Sequence, residues 1–334
     1  MNNVDVETRR LQLLLELSRL GSMREVAEEL GITTSTVSQQ IAMLARETGV
    51  ALIEPDGRRV RLTPAGWRLA DRAVTILAEV EAARLDLDPN AEPVGTLRVA
   101  GFATAIRRSL LPIIAGLARS HPKVRLLIYE HEPLEAFWLL ATDDVDLALT
   151  YDYNLAPAAF DRTVEPIALW SAGWSLGVPL DGTGTLDGTG TLDGTGTTAE
   201  TAGATSDTAL TVFRRYSQHN WIVNSRNTAD EDVVRTVASM AGFEPRISHR
   251  VDSLELVQDL IVAGLGVALL PTDLAVPAGI NRLPLVDPDV RLRSYAVTRR
   301  GRADWPPLAL VLGQLTSPDL EPKELGIRPQ PRAG

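Results

Sequence analysis

The sequence predicts an α/β protein in which an N-terminal winged helix-turn-helix leads through a long linker helix into a C-terminal α/β domain. Three observations predict this order. Capped helical patterns fill the first fifty residues. Two strand-like pieces then flank a Pro-Asp-Gly turn. Beyond Gly95 the pattern changes to alternating strands and helices.

Apolar Leu11, Leu14, Leu15 and Leu17 recur at helical spacing, and Gly21 ends the first helix. Ser22 with Glu25 three residues later has the form of a capping box for a short helix that buries Val26, Ala27 and Leu30. Gly31 permits a tight turn, and Thr33 is the expected N-cap of a third helix burying Val37, Ile41 and Leu44 and ending at Gly49. Strands over Ala51–Ile53 and Val60–Leu62, joined by a turn at Pro55-Asp56-Gly57, form the wing. Pro64 is placed to open a helix that runs to about Leu87, and its Ala70, Ala73, Leu77, Val80 and Leu87 suggest a dimer seam. The expected boundaries are residues 1–63 for the head, 64–88 for the linker helix and 89–94 for a hinge.

In the second domain, strands are predicted at Thr96–Ala100, Val124–Tyr129, Val145–Thr150, Trp174–Val178, Asn220–Val223, Ile247–Val251, Gly266–Leu270 and Tyr295–Thr298. Helices are expected at Ile106–Ser120, Leu134–Ala141, Ala229–Ala241, Ser253–Gly264 and Leu308–Leu315. This alternation argues for a parallel sheet. Residues 180–197 repeat Leu-Asp-Gly-Thr-Gly-Thr, and similar composition continues to Asp207, so a flexible insertion is expected over 180–207. A calcium-binding array would need many stacked repeats and a phosphate loop would need a Lys before a helix; neither is present. Residues 321–334 are expected to be a disordered tail.

The 334 residues suit two or three domains. With no cysteine, disulfides, thiolate nucleophiles and zinc–thiolate sites are excluded. The N-terminus has no apolar signal core and no run is long enough for a membrane span, so the expected location is cytoplasmic. The net charge of −10 is unusual for a nucleic-acid binder, and residues 1–66 carry about as many acids as bases. DNA contact must then come from a few placed side chains.

A helix-turn-helix aims the N-terminal side chains of its second helix at base edges. Here that face carries Thr34, Ser35, Ser38 and Gln39, with Thr33 at the cap and Gln40 as a weaker candidate. Gln pairs bidentately with adenine, and Ser and Thr reach bases or phosphates. The wing offers Arg58, Arg59 and Arg61 to phosphate. On pattern alone, these residues also suit the solvated face of an ordinary helical bundle.

The stretch from Gly21 to Gly66 resembles the LysR-type transcriptional regulators. The residues that carry the resemblance are Gly21-Ser22-Met23-Arg24-Glu25-Val26-Ala27, Leu30 through Ile41, Leu44, Gly49, and Arg58-Arg59-Val60-Arg61-Leu62-Thr63-Pro64-Ala65-Gly66. Met23 replaces the usual Phe, Ala45 the usual Glu, and Pro55 a frequent wing Arg; the last removes a phosphate contact and leaves the wing to Arg58 and Arg59. Weaker matches lie at Gly95–Ala100, Leu111-Pro112, His121-Pro122, Asp146–Leu149 and Ala263–Pro271. The resemblance implies a periplasmic-binding-protein-like domain over 95–320: two α/β lobes joined by two crossover strands, lobe I at about 95–163 and 270–320, lobe II at about 164–269. It also implies a homodimer or tetramer on promoter DNA, responsive to a small-molecule effector, with carboxylates among the classes to consider, and RNA polymerase as a further partner.

Ligands of open α/β lobes sit at strand ends and helix N-termini. The expected effector contacts are Thr104, Thr150, Asn224 and Ser225, with His131 and Arg226 as further candidates. A turn or capping role suits each of them equally. No catalytic set emerges: the four histidines lack metal spacing, and Asp143, Asp144 and Asp146 read as an exposed acidic loop rather than a metal site. Neither enzyme activity, cofactor nor metal is expected. The alternative to a DNA-binding regulator is a small-molecule-binding α/β protein acting through protein contacts without specific DNA binding.

Overall fold

A computed structural model describes residues 6–57, 59–88, 92–180, 207–224 and 228–317. The head is built from α1 (Thr8–Leu20), α2 (Met23–Glu29), α3 (Thr34–Thr48) and a hairpin of β1 (Ile53–Asp56) and β2 (Arg59–Leu62). Gly21 and Gly49 end their helices in the left-handed conformation, which costs a residue without a Cβ nothing. Thr33 caps α3, its hydroxyl accepting from Thr36 N–H at 3.1 Å. Ser22 occupies the N-cap of α2, but its side chain makes no capping hydrogen bond, so the capping-box expectation is corrected. The wing turn also shifts: Pro55 pairs with Val60 and Asp56 with Arg59 inside the ladder, so neither belongs to the turn.

Leu14, Val37, Ile41, Leu44 and Leu52 close the head core, and the first turns of α4 (Pro64–Leu87) complete it through Ala70, Ala73 and Val74. The expected dimer seam is therefore split. Ala70 and Ala73 are spent inside the head and Leu77 packs against it, while Val80 and Leu87 remain 39% and 84% exposed; Ile76, outside the expected seam, is 41% exposed beside them.

The second domain begins with β3 (Gly95–Gly101). The helical segment that follows runs through α5 (Ala103–Ala105), a π-helical turn (Ile106–Leu110) and α6 (Leu111–Ser120). Pro112 lacks an N–H and crowds the preceding turn; the wider π turn ahead of it absorbs both effects. Then come β4 (Val124–Glu130), α7 (Pro133–Ala141), β5 (Leu147–Tyr153), β6 (Val164–Pro179), α8 (Ala209–Arg215), β7 (Asn220–Val223), α9 (Thr228–Met240), β8 (Arg246–Arg250), α10 (Leu254–Val262), β9 (Val267–Pro271), β10 (Ile280–Pro284), β11 (Arg291–Arg299) and α11 (Pro306–Leu315).

The strand order is β4-β3-β5-β11-β6-β9-β7-β8, with β10 also on β6. Lobe I is the parallel set β4, β3, β5; lobe II is the parallel set β9, β7, β8. The sheet is mixed rather than parallel throughout, because β6, β10 and β11 run antiparallel to their partners. β6 crosses between the lobes: Val164–Gly173 pairs with β11, and the remainder with β9 and β10. Since β10 pairs with residues 175–179, the chain stays in lobe II to Pro284, and lobe I resumes at β11 rather than at residue 270. Residues 181–206 and 318–334, which include most of the expected insertion and all of the expected tail, lie outside the described residues.

The linker helix packs on lobe I. Arg299 of β11 pairs with Asp71 of α4 and, at 3.2 Å, with Asp143. Asp146 is buried and takes a bidentate pair from Arg98 at 3.1 and 3.0 Å. Asp143 and Asp146 are thus buried ion-pair partners, not an exposed acidic loop.

Candidate DNA-reading face and effector cleft

Burial divides α3 into two faces. Val37, Ile41 and Leu44 are fully buried, whereas Thr33, Thr34, Ser35, Ser38 and Gln39 face solvent at its N-terminal half. Gln40 is committed elsewhere. Its side-chain oxygen accepts from Nε of the buried Arg10 at 2.9 Å, and the same guanidinium pairs with Glu47. Arg10 thus fixes the orientation of α3 on α1. In the wing, Arg61 pairs with Glu54 at 2.8 Å. Arg59 pairs through its backbone with Asp56, and Arg58 lies outside the described residues.

A cavity of about 200 Å³ opens between the lobes. Lobe I lines it with Phe102, Thr104, Arg107, Arg108, Glu130, Glu132 and Tyr151; lobe II with Asn224, Asp230, Asp252, Ser253, Glu255 and Asp273; and the crossover strand β6 with Trp170 and Trp174. Thr104 and Asn224, two of the four proposed effector contacts, therefore line the cleft. Ser225 and Arg226 lie outside the described residues, and His131 faces Glu135 at 3.3 Å without lining the cavity.

Thr150 is corrected. β5 continues to Tyr153, so Thr150 is not at the strand end. Side chains alternate across a strand. Leu149, Tyr151 and Tyr153 share the face that joins the main core, while Thr150 falls on the face of Ala148, buried and opposite Tyr295. The strand-end residue that lines the cleft is Tyr151, which the sequence reading passed over. The available signal was a tyrosine pair at the end of an apolar strand, where α/β sheets place ligands.

At the cleft floor Asp230, in the first turn of α9, accepts from Tyr151 OH and Tyr153 OH, each at 2.6 Å. These bonds tie lobe II to lobe I. Glu132 Oε2 lies 3.2 Å from the same Tyr151 oxygen. A phenol has one proton. Tyr151 donates it at 2.6 Å to Asp230 and, more distantly, at 3.2 Å to Glu132. Burial, reinforced by the charge of Asp230, pushes Glu132 up to about 8. Burial also raises Asp230, although the tyrosine hydrogen bonds oppose it, and burial pushes Tyr151 and Tyr153 well above the usual phenol value. Two carboxyl groups thus share one phenol at the cleft floor.

At the rim, Arg108 reaches Asp273 at 3.4 Å and Arg107 approaches Glu255 at 4.0 Å, both across the lobes. The Arg108 guanidinium also lies 4.4 Å from the Trp170 ring centroid. These are the only lysine or arginine side chains lining the cleft among the described residues, and both face a carboxylate. The lining also carries the acidic side chains Glu130, Glu132, Asp230 and Asp252. Among the described residues, no His, Asp or Glu cluster is arranged to hold a metal ion, and no helix is long and apolar enough to cross a membrane.

A helix-turn-helix head carried on a long helix and joined to a two-lobed cleft defines the class: a ligand-responsive DNA-binding regulator. Comparison with known proteins makes it specific. Residues 8–67 match the family model described as bacterial regulatory helix-turn-helix protein, lysR family, and residues 90–165 and 207–317 match the LysR substrate binding domain. The chain belongs to the LysR family of transcriptional regulators, with a DNA-binding head and an effector-binding domain. It is 25% identical to the transcriptional dual regulator GltC of Bacillus subtilis over 86% of this chain and 88% of that one. It is 25% identical to the transcriptional dual regulator OxyR of Escherichia coli over 88% and 89%. Among solved structures, a full-length OxyR variant from Pseudomonas aeruginosa superposes with a TM-score of 0.65 at 18% identity, covering 97% of this chain and 99% of that chain. The substrate-binding match passes over 166–206, which contains the Leu-Asp-Gly-Thr-Gly-Thr repeat.

Proposed function

We propose that the protein binds promoter DNA as a homodimer, reads bases with Thr34, Ser35, Ser38 and Gln39, and holds the backbone with Thr33, Arg58 and Arg59. The observation that carries this reading is the division of α3, with a fully buried apolar stripe on one side and a run of exposed hydroxyl and amide side chains on the other. The exposed Ile76, Val80 and Leu87 of α4 supply an apolar face for a second copy. Pairing of dimers gives the tetramer expected of the family. The interlobe cleft, with Thr104 and Asn224 on its walls and Ser225 next to Asn224, receives a small-molecule effector. Such a regulator works in the cytoplasm, where the DNA is, with RNA polymerase as its further partner. No enzymatic step is assigned to it, and the absence of cysteine rules out thiol oxidation of this chain as its signal.

The test is a gel-shift titration of the DNA upstream of the gene and its neighbours over a salt series. A specific complex whose affinity falls steeply with salt is expected. The net charge of −10, and the pairing of Arg61 with Glu54, favour a second reading in which the chain acts through protein contacts. The absence of any specific complex at low salt would select that reading.

A further inference from the structure

We infer that the effector is an organic cation, an amine or guanidine whose charged nitrogen seats at the cleft floor against Glu132 and Asp230. This rests on the reading of the cleft as the effector site. The charge of the lining sets the class. The lining carries six carboxyl groups to two guanidiniums, and those two face Glu255 and Asp273 across the lobes. The floor holds two of these carboxyl groups about one phenol.

Three lining residues also present buried polar atoms without a hydrogen-bond partner: Asn224 Oδ1, an acceptor, and Trp174 Nε1 and Arg108 Nε, donors that an acceptor atom elsewhere on the same ligand would meet. Asn224 Oδ1 is an acceptor suited to an ammonium or guanidinium N–H. Phe102, Trp170 and Leu292 give the carbon skeleton an apolar and aromatic wall, and the stacking of Arg108 on Trp170 shows that this wall tolerates a cation.

Binding exchanges one positive charge for another. The ligand arrives as R–NH3+, the Glu132 carboxyl O–H ionises, its proton leaves to solvent, and the ligand N–H groups donate to the resulting carboxylate. The groups facing Glu132 are Tyr151 and Tyr153 of β5, Asp230 of α9, Glu130 of β4 and Asp252 before α10, with Arg107 and Arg108 at the rim. No lysine or histidine lines the cleft among the described residues, so Glu132 is the group placed to release the proton.

The experiment uses the full chain. Thermal shift and titration calorimetry are run with putrescine, agmatine and phenethylamine, alongside succinate, adipate and 3-phenylpropionate as carboxylates of similar shape. Each is tested at millimolar concentration and across neutral to alkaline pH. At least one amine is expected to bind, with affinity rising about tenfold per pH unit until Glu132 ionises unaided. Glu132→Gln, which has the shape of the protonated acid, should weaken that amine by at least about tenfold and flatten the pH dependence. Its unchanged melting temperature at acid pH would show that it folds. Failure of all three amines overturns the proposal, as does amine binding that Glu132→Gln leaves intact. If a carboxylate binds and Trp170→Ala abolishes that binding, the cleft remains the effector site and only the cation assignment falls. If no compound of either class binds, the reading of the cleft falls with it.

Discussion

Gly66→Ala sets two magnitudes against each other. Gly66 is the third residue of α4, and within a helix Ala is favoured over Gly by about 1 kcal/mol. Propensity alone therefore predicts a more stable head. The packing predicts the opposite. A Cβ on Gly66 would lie 2.1 Å from the carbonyl oxygen of Leu52, 3.1 Å from its carbon and 3.3 Å from Leu62 Cβ. The nearest atoms are backbone and cannot swing away, so the Leu52 carbonyl must retreat by about 1 Å to reach ordinary contact. That carbonyl accepts from Thr63 N–H at 3.0 Å, and Thr63 in turn caps α4 through Gly66 N–H. Overpacking of roughly 1–3 kcal/mol and a weakened hydrogen bond of about 1 kcal/mol outweigh the propensity gain. The net expectation is a head destabilised by about 1–3 kcal/mol. Hydrogen exchange read by mass spectrometry resolves this locally: peptides from α1 and α3 should exchange about 5- to 160-fold faster, while β3 and β5 peptides keep their protection. Unchanged or slower exchange in the head would refute the reasoning, because propensity would then have won over the contact with Leu52.

Three further outcomes are expected. The Glu132 carboxyl is raised from 4.5 to about 8 in the fold, so the folded state holds the extra proton between those values. The stability it contributes is complete below 4.5 and is lost as pH rises through about 8, by up to a few kcal/mol. The melting temperature of the ligand-free protein should fall over that range, and Glu132→Gln should flatten the fall in a calorimetric pH series; an equally steep fall in the variant would exclude Glu132 as its source. Gln39→Ala should relax base preference at one position by about 1–3 kcal/mol, whereas Arg58→Ala or Arg59→Ala should weaken all sequences alike and reduce the salt slope by about one. Uniform weakening by Gln39→Ala in a randomised-site binding assay would contradict its base-reading role. Val80→Asp, on the exposed face of α4, should convert dimer to monomer in light scattering without lowering the melting temperature; a dimer that persists would move the interface elsewhere.

The head was the most legible part of the chain because its signals are local. Gly21, Thr33, Gly49 and Pro64 each act on the backbone within one turn, and all four stand where the sequence places them. Ser22 shows the limit of such signals, since the residue sits at the cap but its side chain makes no bond there. The sequence reading missed elements that depend on distant partners. Val164–Gly173 of β6 alternates in burial and becomes a strand by pairing with β11, more than a hundred residues away. Ile280–Pro284 is short and carries two polar residues, and it becomes a strand by pairing with β6. The seam of α4 was overread because helical periodicity reveals an apolar stripe without revealing which part of it the chain itself covers. The cleft was half legible. Thr104 and Asn224 followed from strand ends, but choosing Tyr151 over Thr150 required knowing how far β5 runs. Pairing Asp230 with the tyrosines required the two lobes to face each other.

The crossover strands also set an order for synthesis. Lobe II, from Trp174 to Pro284, is one continuous run of chain. Lobe I is interrupted by it, and β5 finds β11 only when Tyr295 comes opposite Thr150. As the polypeptide leaves the ribosome, the first lobe must wait with an open edge at β5 while the whole second lobe, repeat included, is translated. The lobe begun first is thus the one finished last. A change that slows closure of lobe II therefore lengthens the interval in which β5 is exposed to a neighbouring nascent chain, even when the mature protein is unaffected.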